Sequence, residues 1–154
     1  ATSKFSDPQH AQAFVKWFGD SKAVDNKGLP IVVYHGTNAD FDEFDMSKSR
    51  KSDIKGAFFA TRDSLAGAFG AKNLISAYVK ISNPATFADV ERLAKSGVKT
   101  PQLHKALQSE GFDGIYDPKR WLVVAFDPRQ IKAETNNSGT FDPKSKSIKM
   151  AVWQ

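Results

Sequence analysis

Apolar positions recur at helical spacing near the start of the chain and then give way to short β-rich runs. Ala11, Phe14, Val15 and Phe18 fall three and four residues apart, the spacing of one helix face. Asp7 supplies an N-cap, Pro8 suits the first helical position, and Gly19 closes the segment. Asp25-Asn26-Lys27-Gly28 predicts a turn, and Ile31 to His35 a buried strand. Residues 38–55 are polar and charged, with Phe41 and Phe44 as apolar anchors; they read as a long loop, a kind of segment that often carries function. Ala57 to Ala60 predicts a short strand. Asp63 then caps a helix from Ser64 to about Phe69 or Gly70. Leu74 to Ile81 reads as a strand ended by Asn83-Pro84, and Ala88–Lys95 and Pro101–Ser109 as two helices. Thr100 caps the second helix, with Gly111 beyond its end. Gly114 to Tyr116, the turn 117–120, and Trp121 to Phe126 predict a β-hairpin. Asn136 to Gly139 is a loop, and the Lys/Ser stretch 144–149 reads as a mobile tail.

Short strands interleaved with short helices indicate an α+β domain. A length of 154 residues suits one domain over 1–154. Residues 1–28 form its N-terminal helix and lead-in, and 133–154 a partly mobile C-terminal extension. The chain does not open on Met, which reads as a domain trimmed or excised from something larger. No signal peptide opens this sequence, and no apolar run reaches membrane-spanning length. Cysteine is absent, which excludes disulfides, thiol catalysis and Cys-ligated metals. The three His residues lack metal-ligand spacing, so no metal is expected. His10 and His104 fall in helices far from the segments discussed next and read as incidental. A net charge of +5 favours acidic partners such as nucleic acid, an acidic protein or a phosphate-bearing substrate. Lys144, Lys146 and Lys149 cluster late in the chain. No Arg–aromatic platform of the kind used by single-strand binders is visible.

Three segments carry candidate chemistry. The first is Val32-Val33-Tyr34-His35-Gly36-Thr37; the second, Gly56-Ala57-Phe58-Phe59-Ala60-Thr61, is followed by Phe69. The third is Val123-Val124-Ala125-Phe126-Asp127-Pro128-Arg129-Gln130-Ile131. In this order they resemble the ADP-ribosyltransferases, in the branch with the poly(ADP-ribose) polymerase and diphtheria-toxin fold, especially domains of phage and bacterial polymorphic toxins. The resemblance sharpens the fold class to a split two-sheet architecture with short flanking helices.

The family's signature is a His, two stacking aromatics and a late acid. By resemblance His35 holds the NAD ribose, Gly36 the nicotinamide amide through its backbone, and Thr37 supports them. Phe58 and Phe69 fall where two stacking tyrosines usually sit; Phe keeps the ring face that holds a cationic nicotinamide. His35, Phe58 and Phe69 are thus the candidate catalytic set. Arg62 is a candidate partner of the NAD pyrophosphate, with a solvated surface Arg as its alternative. Ala66 stands where a small hydroxyl residue is common, and Leu122 where the acid is expected. Leu cannot stabilise a developing cation, which argues against polymer formation. Asp113, Asp117 and Glu134 are the nearby acids.

The resemblance implies a mono-ADP-ribosyltransferase consuming NAD, and a toxin domain modifying structured RNA or protein. It also implies a cognate immunity protein as partner, and action in the cytoplasm of a target cell, with prior secretion as an option. The alternatives are a degenerate family member that binds NAD or a partner without chemistry, and a simple NAD glycohydrolase.

Overall fold

The computed structural model describes residues 7–37, 43–46, 54–62, 73–134 and 141–148. The helix expected from Ser64, with Ala66 and Phe69 on it, lies outside these residues, as do Phe41 and Lys149.

Helix α1 spans Pro8–Phe18, and the Asp7 carboxylate caps it by accepting from the Gln9 amide at 2.8 Å. Its buried face is Ala11, Phe14, Trp17 and Phe18. Val15, expected inside, is 49% exposed, and Trp17 takes its place. Both fit helical spacing, and the indole has the larger apolar surface to bury and an N–H that reaches the Arg129 carbonyl at 3.2 Å.

The strands are β1 (Val33–Thr37), β2 (Ala57–Ala60), β3 (Asn73–Val79), β4 (Pro84–Ala85), β5 (Gly114–Asp117), β6 (Leu122–Ala125) and β7 (Ile131–Ala133). They pair in the order β4-β5-β6-β2-β1-β3-β7, with β4–β5 parallel and the other pairs antiparallel. Two strands escape the sequence reading. At β4, Asn83-Pro84 reads as a strand end; it starts a two-residue edge strand instead, a place Pro tolerates. At β7, three residues are too few to show a period. Helices α2 (Phe87–Lys95) and α3 (Leu103–Ser109) follow β4, with a 3₁₀ turn at Thr100–Gln102 leading into α3. The sequence predicts a helix from Pro101, but the first turn closes more tightly there.

Period-two alternation sends neighbouring side chains to opposite sheet faces. Phe59, Val123, Val33, Ala77 and Ile131 join one core cluster, which Phe44 and Ile148 cover. Val124 and Ile115 join a second with Val90, Leu93, Leu103 and Leu107 from α2 and α3, and Phe58 and Leu122 pack against it. A third, aromatic cluster seats α1 on Tyr78 of β3 and on Phe141.

The ladder is strongly bent. The Gln130 amide nitrogen donates to the Lys80 carbonyl at 2.8 Å and the Asp113 carbonyl at 2.9 Å. These residues flank β3 and β5, four places apart in the strand order. In a flat sheet that gap would be about 19 Å, beyond any single side chain. The sheet therefore curls into two facing halves.

The stretch expected as a mobile tail is tied down where it is described. Phe141 and Ile148 are buried. The Ala133 amide donates to the Ile148 carbonyl at 2.9 Å, and Lys132 Nζ to the carbonyls of Ser145 (2.8 Å) and Ser147 (3.2 Å).

Candidate active site

Segments distant in sequence meet at the centre of the sheet. β6, β2 and β1 are consecutive in the strand order and carry parts of all three motifs. Tyr34 pairs with Ala60, and Phe58 and Ala60 pair with Val124 and Leu122. Gly56, at the head of the second motif, has no room for a side chain: a Cβ there would lie 2.7 Å from Val124 Cγ1 and 2.8 Å from the Ala125 carbonyl oxygen. That Gly allows β2 to enter beside β6.

His35 sits mid-strand in β1, half-buried. Its Nδ1 lies 2.7 Å from the Phe58 carbonyl oxygen. A carbonyl only accepts, so Nδ1 is the donor in this bond. The imidazole packs edge-on against Phe44, centroids 5.0 Å apart, and tilted against Phe59 at 5.6 Å. Phe44 and Phe59 also touch, at 5.3 Å. These rings and the carbonyl hold the imidazole in one orientation. In the sequence Phe44 shows only as a loop anchor and Phe59 carries no signal of its own; the adjacency of Phe58 and Phe59 signals opposite faces without saying which ring meets His35.

Phe58 comes to His35 through its carbonyl, while its half-buried ring packs on the second cluster, as Leu122 does. Gly36 and Thr37 continue β1 opposite Leu74 and Asn73. Arg62 holds its guanidinium 4.2 Å from the centre of the Trp121 ring. Phe69 lies outside the described residues.

The neighbouring acids Asp113 and Asp117 are engaged structurally. Asp113 accepts from the backbone amides of Ser82 and Asn83, each at 2.9 Å. Asp117 caps Lys119 at 3.1 Å and pairs with Arg120 at 3.6 Å. Glu134 follows β7, its amide bonded to the Ser76 carbonyl.

The third motif is a corner. The Gln130 side-chain oxygen accepts from the amides of Phe126 (3.1 Å) and Asp127 (2.8 Å), while its nitrogen makes the two bonds described above. Burial would raise the Asp127 carboxyl, but hydrogen bonds and charge from Arg129 prevail and hold it below its ordinary value. A cleft of about 430 Å³ opens beside this corner, lined in part by Trp17, Lys80, Phe126 and Arg129 and by none of His35, Phe58 or Leu122.

Among the described residues no group of three His, Asp or Glu side chains could hold a metal ion, and no helix is long and apolar enough to cross a membrane. A family model described as ADP-ribosyltransferase in polyvalent proteins matches residues 25–141, more than half of the chain and a span that contains every strand among the described residues. No curated protein and no solved structure matches the chain.

Proposed function

The chain belongs to this ADP-ribosyltransferase family, and from that premise we propose that it transfers single ADP-ribose units from NAD to a macromolecular acceptor, as a toxin domain of a bacterial or phage system. The observation that carries the reading is the junction of the motif strands, where the Phe58 carbonyl fixes His35 Nδ1 at 2.7 Å. In this reading the oriented His35 imidazole holds a ribose hydroxyl, as the family resemblance implies. Gly36 offers its backbone to the carboxamide, with Thr37 in support. Phe58 and Phe69 offer ring faces to the nicotinamide.

In the reaction the bond between the anomeric carbon and the nicotinamide nitrogen breaks. The electron pair leaves with nicotinamide, which becomes neutral, and an oxocarbenium-like centre develops on the ribose, as in glycoside cleavage. The acceptor's nucleophile bonds that carbon and loses its proton. The protein's part is orientation, which is worth several orders of magnitude in rate. Leu122 at the acid's position supports single transfer over polymer growth. A cognate immunity protein and action in a target-cell cytoplasm complete the proposal.

Leu122 also favours a second reading, a member that binds NAD without chemistry. Nicotinamide release on incubation with NAD and cell lysate separates the two. Wild-type protein should release nicotinamide and label a macromolecule. His35→Ala should lower release at least about a hundredfold with an unchanged circular dichroism spectrum. A folded variant at near wild-type turnover would remove His35 from the site. Release without any macromolecular label would make the protein an NAD glycohydrolase.

A further inference from the structure

The fold builds a cation–aromatic surface that the sequence does not display. Arg62 lies just past β2, and Trp121 just before β6. The pairing of Ala60 with Leu122 brings them side by side, and the Thr61 amide donates to the Trp121 carbonyl at 3.0 Å. The Arg62 guanidinium then lies 4.2 Å from the Trp121 ring centre. The residue before Trp121 repeats the arrangement: Arg120 lies 4.5 Å from the Phe87 ring centre. Lys119 is exposed beside it, and Asp117 pairs with Arg120 at 3.6 Å. Trp121 is 41% exposed, and its φ of 53° puts a bulky side chain in the left-handed region that favours glycine. Neither burial nor backbone preference accounts for a Trp at this position.

We propose that Arg62, Lys119, Arg120 and Trp121 form a docking platform for single-stranded nucleic acid and that the docked strand is the ADP-ribose acceptor; its role as acceptor rests on the transferase reading above. Bases stack on aromatic rings and on guanidinium planes, and Lys119 and Arg120 meet the phosphates. A duplex keeps its base faces stacked inside, so the platform selects unpaired strands. An acidic peptide would satisfy the cations but has no flat faces for the rings. Arg62 stands four residues beyond Phe58, two past the end of β2, so the two lie at most about 13 Å apart along the chain. A bound strand of a few nucleotides spans that gap and brings its own hydroxyl or base nitrogen to the ribose. The net charge of +5 adds a general pull on the strand.

The test is fluorescence anisotropy with labelled RNA and DNA strands of about a dozen nucleotides, measured without NAD. Wild-type protein should bind the single strand more tightly than the duplex of the same sequence, and more weakly as salt rises. Trp121→Gly removes the ring at a φ that glycine accepts, and should weaken binding about tenfold or more. Trp121→Phe should retain most of it. If Trp121→Gly does not fold, the double variant Lys119→Glu, Arg120→Glu decides, with weaker binding and a shallower salt slope expected. Wild-type affinity in folded Trp121→Gly, or equal affinity for duplex, would overturn the platform. So would an ADP-ribose label carried only by protein and unaffected by Trp121→Gly. Nicotinamide release reports separately: a protein that binds the strand and releases none counts against the transferase reading alone.

Discussion

Under the proposed reading, Leu122 stands at the position of the family's acid. It packs beside the second core cluster, as Phe58 does, and is only half-buried. A carboxylate there would keep part of its hydration, so the charge is tolerable. Leu122→Glu should therefore fold, lose about 1–2 kcal/mol of stability, and keep or raise nicotinamide release by stabilising the developing cation. Urea denaturation and a nicotinamide assay on the variant check both parts, and loss of cooperative unfolding would place Leu122 in the core. Phe58→Tyr should leave NAD use and stability near wild type, since the ring face remains. Phe58→Ala should lose about 2–4 kcal/mol as well as activity, so its kinetics must be read beside its melting curve. His35, Gly36, Phe58 and Leu122 are candidates that the sequence offers by itself, because the motifs are local strings. Phe44 and Phe59 as the rings that clamp the imidazole were not: neighbours on a strand face opposite ways, and only the partner strand says which way is which.

At the scale of elements, the Gln130 corner sets how the two halves of the sheet meet. Its side chain satisfies two amides and two carbonyls drawn from three segments. Gln130→Ala should cost about 2–4 kcal/mol, from partly buried backbone groups left without partners. A matched fall in the urea midpoint of the whole transition checks it; a change below about 0.5 kcal/mol would mean that water replaces the amide. Lys132 on β7 gives a second test. Burial depresses its ammonium to about 8, with Asp142 opposing the fall. The unfolded chain keeps the ordinary value of 10.5. Between these values the unfolded state binds more protons, so this group makes stability rise with pH from about 8 towards 10.5. Thermal melts of wild type and Lys132→Met at pH 7.5 and 9.5 should show the rise only in wild type. An identical slope in the variant would assign the rise to other groups. The sequence marks Lys132 as one more basic residue; its burial arises because β7 pairs with β3 while residues 141–148 fold over it.

Across the whole molecule, the described ends of the chain close on each other. Phe141 meets Phe14 of α1 edge-on, with centroids 5.3 Å apart, and is buried. Phe141→Ala should cost about 3–5 kcal/mol and release the segment from the body, seen as faster amide exchange at Ala133 and Ile148. Wild-type exchange at both amides would show that Ile148 and Lys132 hold the segment without it. The sequence by itself determined the α+β class, α1 with its Asp7 cap, most of the described strands and the family. Caps, periods and motif strings are all written within a few residues, so local reading suffices. Only the tertiary structure decided that β6, β2 and β1 lie side by side, that the sheet curls until one glutamine spans it, and that Arg62 stacks on Trp121. Each is a contact between residues dozens of positions apart. Such contacts follow from strand order and register, which long-range burial of both sheet faces selects and no local pattern encodes.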